Sequence, residues 1–210
     1  MAYHGYIPFV KQTLSNINSP KILEVGLDRG ITTIPIFSFL CRVHENFEFV
    51  GVDVLFQESL LITLQNIDRM QSQKISLYQE SSLNVLPRLV ESSKKFDVIL
   101  LDGDHNYYTV SKELSYLDDL SSENSIVIID DYHGRWSEKD LWYSEREGYE
   151  NVSQATKKIE TEKRGVKPAV DEFLVSNPHW EISTLMQGEP VLLKRKQTQK
   201  SLFSMSLFNS

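Results

Sequence analysis

Residues 96–108 read Phe-Asp-Val-Ile-Leu-Leu-Asp-Gly-Asp-His-Asn-Tyr-Tyr. The unbroken apolar run Val98–Leu101 suits a strand covered on both faces. It stops at Asp102, Gly103, Asp104 and His105, so two carboxylates and an imidazole surface together where a buried strand ends. Ligands of open parallel sheets bind at the carboxyl ends of the strands. A second apolar run, Ile126–Ile129, ends in Asp130, Asp131, Tyr132 and His133. Brought to one sheet edge, Asp102, Asp104, Asp130 and Asp131 make a strongly negative pocket that asks for a cation.

Toward the N-terminus, residues 21–26 form a first strand and Gly26-Leu-Asp-Arg-Gly30 a loop before a helix. Pro35 is harmless if that helix starts near Thr32 or Thr33. Glycines let a backbone approach a ligand closely, and a helix start offers free N–H groups. A plain tight turn would use the same glycines. The dinucleotide fingerprint G-x-G-x-x-G is absent, because Leu27 to Arg29 supply no middle glycine. Residues 47–53 read as a second strand ending in Asp53, 27 positions after Gly26. A carboxylate there can accept two hydrogen bonds from a ribose diol, or it can cap a helix. Ahead of all this, residues 3–16 read as a leading helix; His4 and Tyr6 precede it and could fold over a ligand, or the segment packs on the sheet as an N-terminal lid.

A helix is expected over 57–70 and a third strand over 74–78. Ser81 or Ser82 caps the next helix or touches a ligand's ring. A helix follows over 107–120, a turn over 121–124 and a fifth strand over 126–130. Strand and helix alternate, which is a doubly wound parallel sheet. Residues 132–164 are polar and aromatic and leave from the acidic edge. They read as a lid or specificity insertion, or as a helical decoration or subunit contact. A helix over 166–175 and strands over 180–185 and 190–193 close the chain, the last strand antiparallel to its neighbour. Residues 1–194 thus form one domain, and 195–210 a flexible tail whose apolar residues could pack on a second subunit to give a homo-oligomer.

The net charge of −7, from 22 basic and 29 acidic residues, argues against nucleic acid as the main partner. The single cysteine, Cys41, fits a buried thiol in a reducing, cytoplasmic setting. No apolar run reaches the ~20 residues that a membrane span needs, and no secretion signal is evident.

Ile22-Leu-Glu-Val-Gly26 with Gly30, Phe49-Val-Gly-Val-Asp53 and above all Phe96–Tyr107 resemble class I methyltransferases that use S-adenosylmethionine. The chain is most similar to the metal-dependent O-methyltransferases of macrolide and aminocoumarin sugar biosynthesis. Asp130–His133 and Gly165–Phe173 look like later motifs of that group. The resemblance covers most of residues 20–193. It implies a Rossmann-like, seven-stranded sheet, mostly parallel with the last strand antiparallel. Glu24, Gly26 and Gly30 would border the methionine end of the cofactor, Asp53 would hold the ribose, and Ser81 and Ser82 would lie near the adenine. Asp102, also beside the cofactor, would bind a divalent metal with Asp130 and Asp131, and Mg²⁺ is the expected ion. Asp104 or His105 would be the general base.

The chemistry accounts for such a set. A hydroxyl is a poor nucleophile at neutral pH, a metal lowers its pKa, and a base takes its proton. Oxygen ligands favour Mg²⁺, Mn²⁺ or Ca²⁺, while His105 and His133 bring softer donors. The leading expectation is metal-dependent O-methylation of a small hydroxylated acceptor, such as a sugar moiety. A non-catalytic module that binds S-adenosylmethionine or a metal is the alternative. A nicotinamide-dependent oxidoreductase is opposed by the missing glycine.

Overall fold

A computed structural model describes residues 5–67, 75–185 and 188–196. Seven strands form one sheet: β1 (Lys21–Val25), β2 (Glu48–Asp53), β3 (Ile75–Gln79), β4 (Phe96–Leu101), β5 (Ser121–Ile129), β6 (Trp180–Ile182) and β7 (Val191–Arg195). Their order is β3-β2-β1-β4-β5-β7-β6. β1 to β5 pair in parallel, and β7 runs antiparallel between β5 and β6. The strand order reverses between β1 and β4, so their carboxyl ends flank the crevice where such sheets bind ligands.

Alternation along each strand sorts side chains onto two cores. Ile22, Phe49, Val98 and Leu100 face α1 (Ile7–Ser15), α2 (Thr33–Val43) and α3 (Glu58–Ile67). Leu23, Val25, Ile99 and Leu101 face α4 (Ser82–Glu91), α5 (Tyr107–Leu114), α6 (Leu117–Leu120) and α7 (Val166–Ser176). The central strands are buried on both faces, which is why they read as continuous apolar runs. Cys41 is half-buried against the α1–α3 core and forms no disulfide, so the thiol is less enclosed than its apolar neighbours implied.

Other expectations shift at their edges. The helix expected over 107–120 breaks into α5 and α6 around Ser115 and Tyr116. Ser115 Oγ donates to the Lys112 carbonyl at 2.6 Å, a side-chain bond that competes with helix propagation. Residues 121–124, expected as a turn, already belong to β5, which pairs Ser121 with Phe96 before a register shift. The leading helix starts at Ile7, with Tyr6 buried beneath it. His4, residues 68–74, Met186, Gln187 and nearly all of the expected tail lie outside the described residues. Among the described residues no helix is long and apolar enough to cross a membrane.

Candidate active site

β1 ends at Val25, and the chain turns through Gly26 at φ +85°. Gly26 N–H donates to the Val52 carbonyl at 2.9 Å, and Asp102 N–H donates to the Val25 carbonyl at 2.8 Å. The ends of β1, β2 and β4 are thereby drawn together. A Cβ on Gly26 would lie 2.0 Å from the Asp102 carbonyl oxygen, so only glycine fits where the two loops meet. Asp53 braces the loop from the end of β2. Its Oδ2 accepts from the N–H groups of Leu27 (2.7 Å) and Asp28 (3.0 Å), and its Oδ1 from that of Leu55 (3.0 Å).

A cleft of ≈ 500 Å³ opens along this edge, lined by Gly26, Asp53, Ser81, Ser82, Asp102 and Asp104, with Tyr143, Tyr149 and Thr156 opposite. Ser81 is the N-cap of α4, its Oγ accepting from Leu83 N–H at 3.3 Å. Ser82 Oγ donates to Glu113 Oε1 at 2.6 Å. Glu113 is buried, and that burial pushes its carboxyl up to about 8.

A second cleft, ≈ 1020 Å³, is lined by Glu24, Asp102, His105, Asp130 and Asp131 together with Arg29, Arg135, Arg146 and Trp136. Asp130 N–H donates to the Leu101 carbonyl at 3.0 Å, so Asp102 and Asp130 leave adjacent strands side by side. Asp102, His105 and Asp130 each present a donor atom, all within 4.8 Å of one another. Burial raises the Asp102 carboxyl well above the usual range, and the charge of Asp130 beside it adds to the effect. Asp131 stands at φ +58° with Oδ1 on the Trp136 N–H (3.4 Å) and Oδ2 3.4 Å from His105 Nδ1. His105 Nε2 is 3.7 Å from Asp102 Oδ1, and burial lowers the imidazole pKa. His133 is exposed and packs edge-on against Tyr132, apart from this group. Glu24 is 1 % exposed and pushed up to about 8 by burial, and its Oε2 has no hydrogen-bond partner among the described residues.

Neighbours in sequence, Asp104 and His105 serve different clefts. Asp104 lines the first, where its Oδ1 accepts from Tyr143 N–H (3.1 Å) and its Oδ2 from the Thr109 hydroxyl (3.4 Å). Burial pushes it up to about 6. His105 lines the second. Residues 132–164 hold a single 3₁₀ turn, Tyr143–Glu145, and are otherwise irregular. They are tied down by carboxylates. Asp140 Oδ1 accepts from Tyr107 N–H (3.0 Å) and Gly165 N–H (2.8 Å), which joins the insertion to the starts of α5 and α7. Leu141 N–H donates to the His105 carbonyl at 3.0 Å. Tyr143 consequently walls both clefts.

The motifs had pointed to neither Asp140 nor Tyr143, which lie in a stretch without periodicity. Glu113 did carry a signal, being a charged residue beside Leu114 on the apolar stripe of α5.

This is the class I architecture of enzymes that use S-adenosylmethionine, the class the motifs resemble. A family model described as a methyltransferase domain matches residues 23–132, more than half of the chain, and the chain belongs to that family. Solved structures share the fold. CalS11, a TDP-rhamnose 3′-O-methyltransferase of calicheamicin biosynthesis, aligns with a TM-score of 0.63 and 14% identity, covering 90% of this chain and 76% of that one. TomG from Streptomyces achromogenes, an O-methyltransferase of tomaymycin synthesis solved with S-adenosylmethionine, gives 0.59 and 12%, covering 94% and 82%. An O-methyltransferase from Bacillus cereus, solved with S-adenosylhomocysteine, gives 0.59 and 13%, covering 93% and 83%. No curated protein matches the chain.

Proposed function

We propose that the protein methylates a hydroxyl oxygen of a small molecule, such as a sugar moiety, with a divalent cation held at Asp102 and Asp130. The observation that carries this reading is the Asp102–His105–Asp130 group at the ends of two adjacent strands, on the edge that also bears the glycine loop. Two half-buried carboxylates side by side, without an ion-paired lysine or arginine among the described residues, have the chemistry of a cation site. Two carboxylates completed by water suit Mg²⁺. When bound there, such an ion supplies Lewis acidity that lowers the pKa of an acceptor hydroxyl.

The cofactor also fits. Glu24, buried with an unpartnered oxygen at the second cleft, suits the ammonium of a methionine end bordered by Gly26 and Gly30. Asp53 accepts two backbone N–H groups on Oδ2 and one on Oδ1, which leaves Oδ1 a lone pair for one ribose hydroxyl. Ser81 and Ser82 line the first cleft, where the adenine would lie. S-adenosylmethionine, when bound, supplies an electrophilic sulfonium methyl group.

His105 is assigned as the base. Burial keeps the imidazole neutral, and Asp131 beside Nδ1 favours a proton there, which leaves Nε2 to accept one on the Asp102 side. Asp131 is thus given an orienting role in place of metal ligation, and Asp104 becomes an anchor for the insertion. The residues 132–164 act as the specificity lid. A small acceptor rather than nucleic acid and a cytoplasmic setting complete the reading.

Titration calorimetry of S-adenosylhomocysteine into chelator-treated protein, with and without Mg²⁺, tests it, followed by turnover on a panel of hydroxylated acceptors. Cofactor binding with metal-dependent turnover is expected. Asp130→Asn should keep cofactor affinity and lose cation binding. His105→Gln should keep both and lose about 100-fold or more in kcat. Failure of the cofactor to bind under either condition sinks the reading.

A further inference from the structure

The second cleft carries charge that methyl transfer to a neutral hydroxyl does not use. Arg29, Arg135 and Arg146 line it. Arg88, Arg164 and Arg195 are each ion-paired, but among the described residues Arg29, Arg135 and Arg146 have no carboxylate within salt-bridge distance. Two are held by aromatic rings instead. The Arg135 guanidinium lies 4.7 Å from the Trp136 ring centre, and that of Arg146 lies 5.2 Å from Tyr143 and 5.9 Å from Tyr149. Stacking positions a guanidinium plane while leaving its N–H fork free to bind. The arrangement stands out in a chain of net charge −7, whose overall field disfavours anions. The methionine end of the cofactor brings one carboxylate, for which one cation suffices. Arg29, within the glycine loop, is the residue on the cofactor's side. Arg135 and Arg146 both belong to the insertion and remain.

We propose that the acceptor is anionic: it bears a phosphate or carboxylate group that Arg135 and Arg146 bind while its hydroxyl reaches the Asp102–Asp130 pair. This deepens the O-methyltransferase reading and rests on it. Guanidinium forks match both oxyanions in bidentate geometry, and the Trp136 ring beside them gives the body of the acceptor an apolar surface.

The test uses the whole protein saturated with S-adenosylhomocysteine in Mg²⁺, titrated with phenyl phosphate, benzoate and benzyl alcohol by ligand-observed NMR. At least one anion should bind about tenfold or more tighter than the alcohol, and Arg135→Gln and Arg146→Gln should each weaken it by about tenfold, as expected for a lost charge-assisted contact. Arg135→Gln should leave cofactor affinity unchanged. Preference for phenyl phosphate identifies a phosphate ester as the acceptor class, and preference for benzoate a carboxylic acid. Equal binding of the alcohol, no binding of either anion, or anion binding indifferent to both substitutions overturns the proposal. Loss of S-adenosylhomocysteine binding by the unsubstituted protein would instead strike the underlying methyltransferase reading.

Discussion

Glu113 sits on the buried face of α5, bonded to the Ser82 hydroxyl and with the charge of Asp104 near it, and burial above all holds its proton on up to about pH 8. In the unfolded chain a glutamate releases that proton near about 4.3. Between those values the folded state binds more protons, so stability falls as pH rises, and above about 8 the loss is complete. Glu113→Gln keeps an oxygen for Ser82 and cannot ionise. The variant should therefore match the parent near pH 5 and melt higher at pH 8–9, by about 2–4 °C for each kcal/mol relieved. Thermal melts across pH 5–9 check this, and parallel curves would mean that the acid is not buried as described. Glu24, pushed up in the same way, leaves part of the slope in place. At this scale the sequence is most readable where polarity changes abruptly. Asp102 and Asp130 stand out because each ends an apolar run, whereas Glu113 is one acid among ordinary helix residues until the stripe of Val110 and Leu114 is set beside it.

Among elements, the insertion is the one that local pattern could not resolve. It has no 3.6 or 2.0 period, because hydrogen bonds to single carboxylates hold it rather than a repeated apolar face. Asp140 is the principal tie, its side chain only 4 % exposed and bonded to the first turns of two helices and to Arg164. Asp140→Ala leaves two backbone N–H groups without their acceptor, and a loss of about 2–3 kcal/mol is expected. Urea unfolding measures that loss. Limited proteolysis should cut within residues 132–164 faster than in the parent, and cofactor affinity should weaken as Tyr143 and Tyr149 lose their setting. Unchanged proteolysis would relocate the tie elsewhere. The regular elements were legible for the opposite reason. Both faces of β1, β2, β4 and β5 are covered, so their composition alone marks them, and the errors lie at ends such as Ser115 and Ser121, where side-chain bonds and sheet pairing override local preference.

For the whole molecule, the reversal of strand order between β1 and β4 places two clefts side by side, and under the proposed function the methyl donor lies along the first and reaches the second with its methionine end. Gly26, Asp28, Asp102 and Tyr143 line both. A partition with two tenants gives each ligand a say in how long the other stays. Thermodynamic reciprocity then requires that an anionic fragment tighten S-adenosylhomocysteine by the same factor by which S-adenosylhomocysteine tightens the fragment. Paired titrations of each ligand in the presence of the other measure the two factors, and affinities indifferent to the neighbour would mean that the partition transmits nothing. Coupling of that kind carries no order of arrival: whichever ligand reaches the shared wall first, the other gains the same factor in affinity.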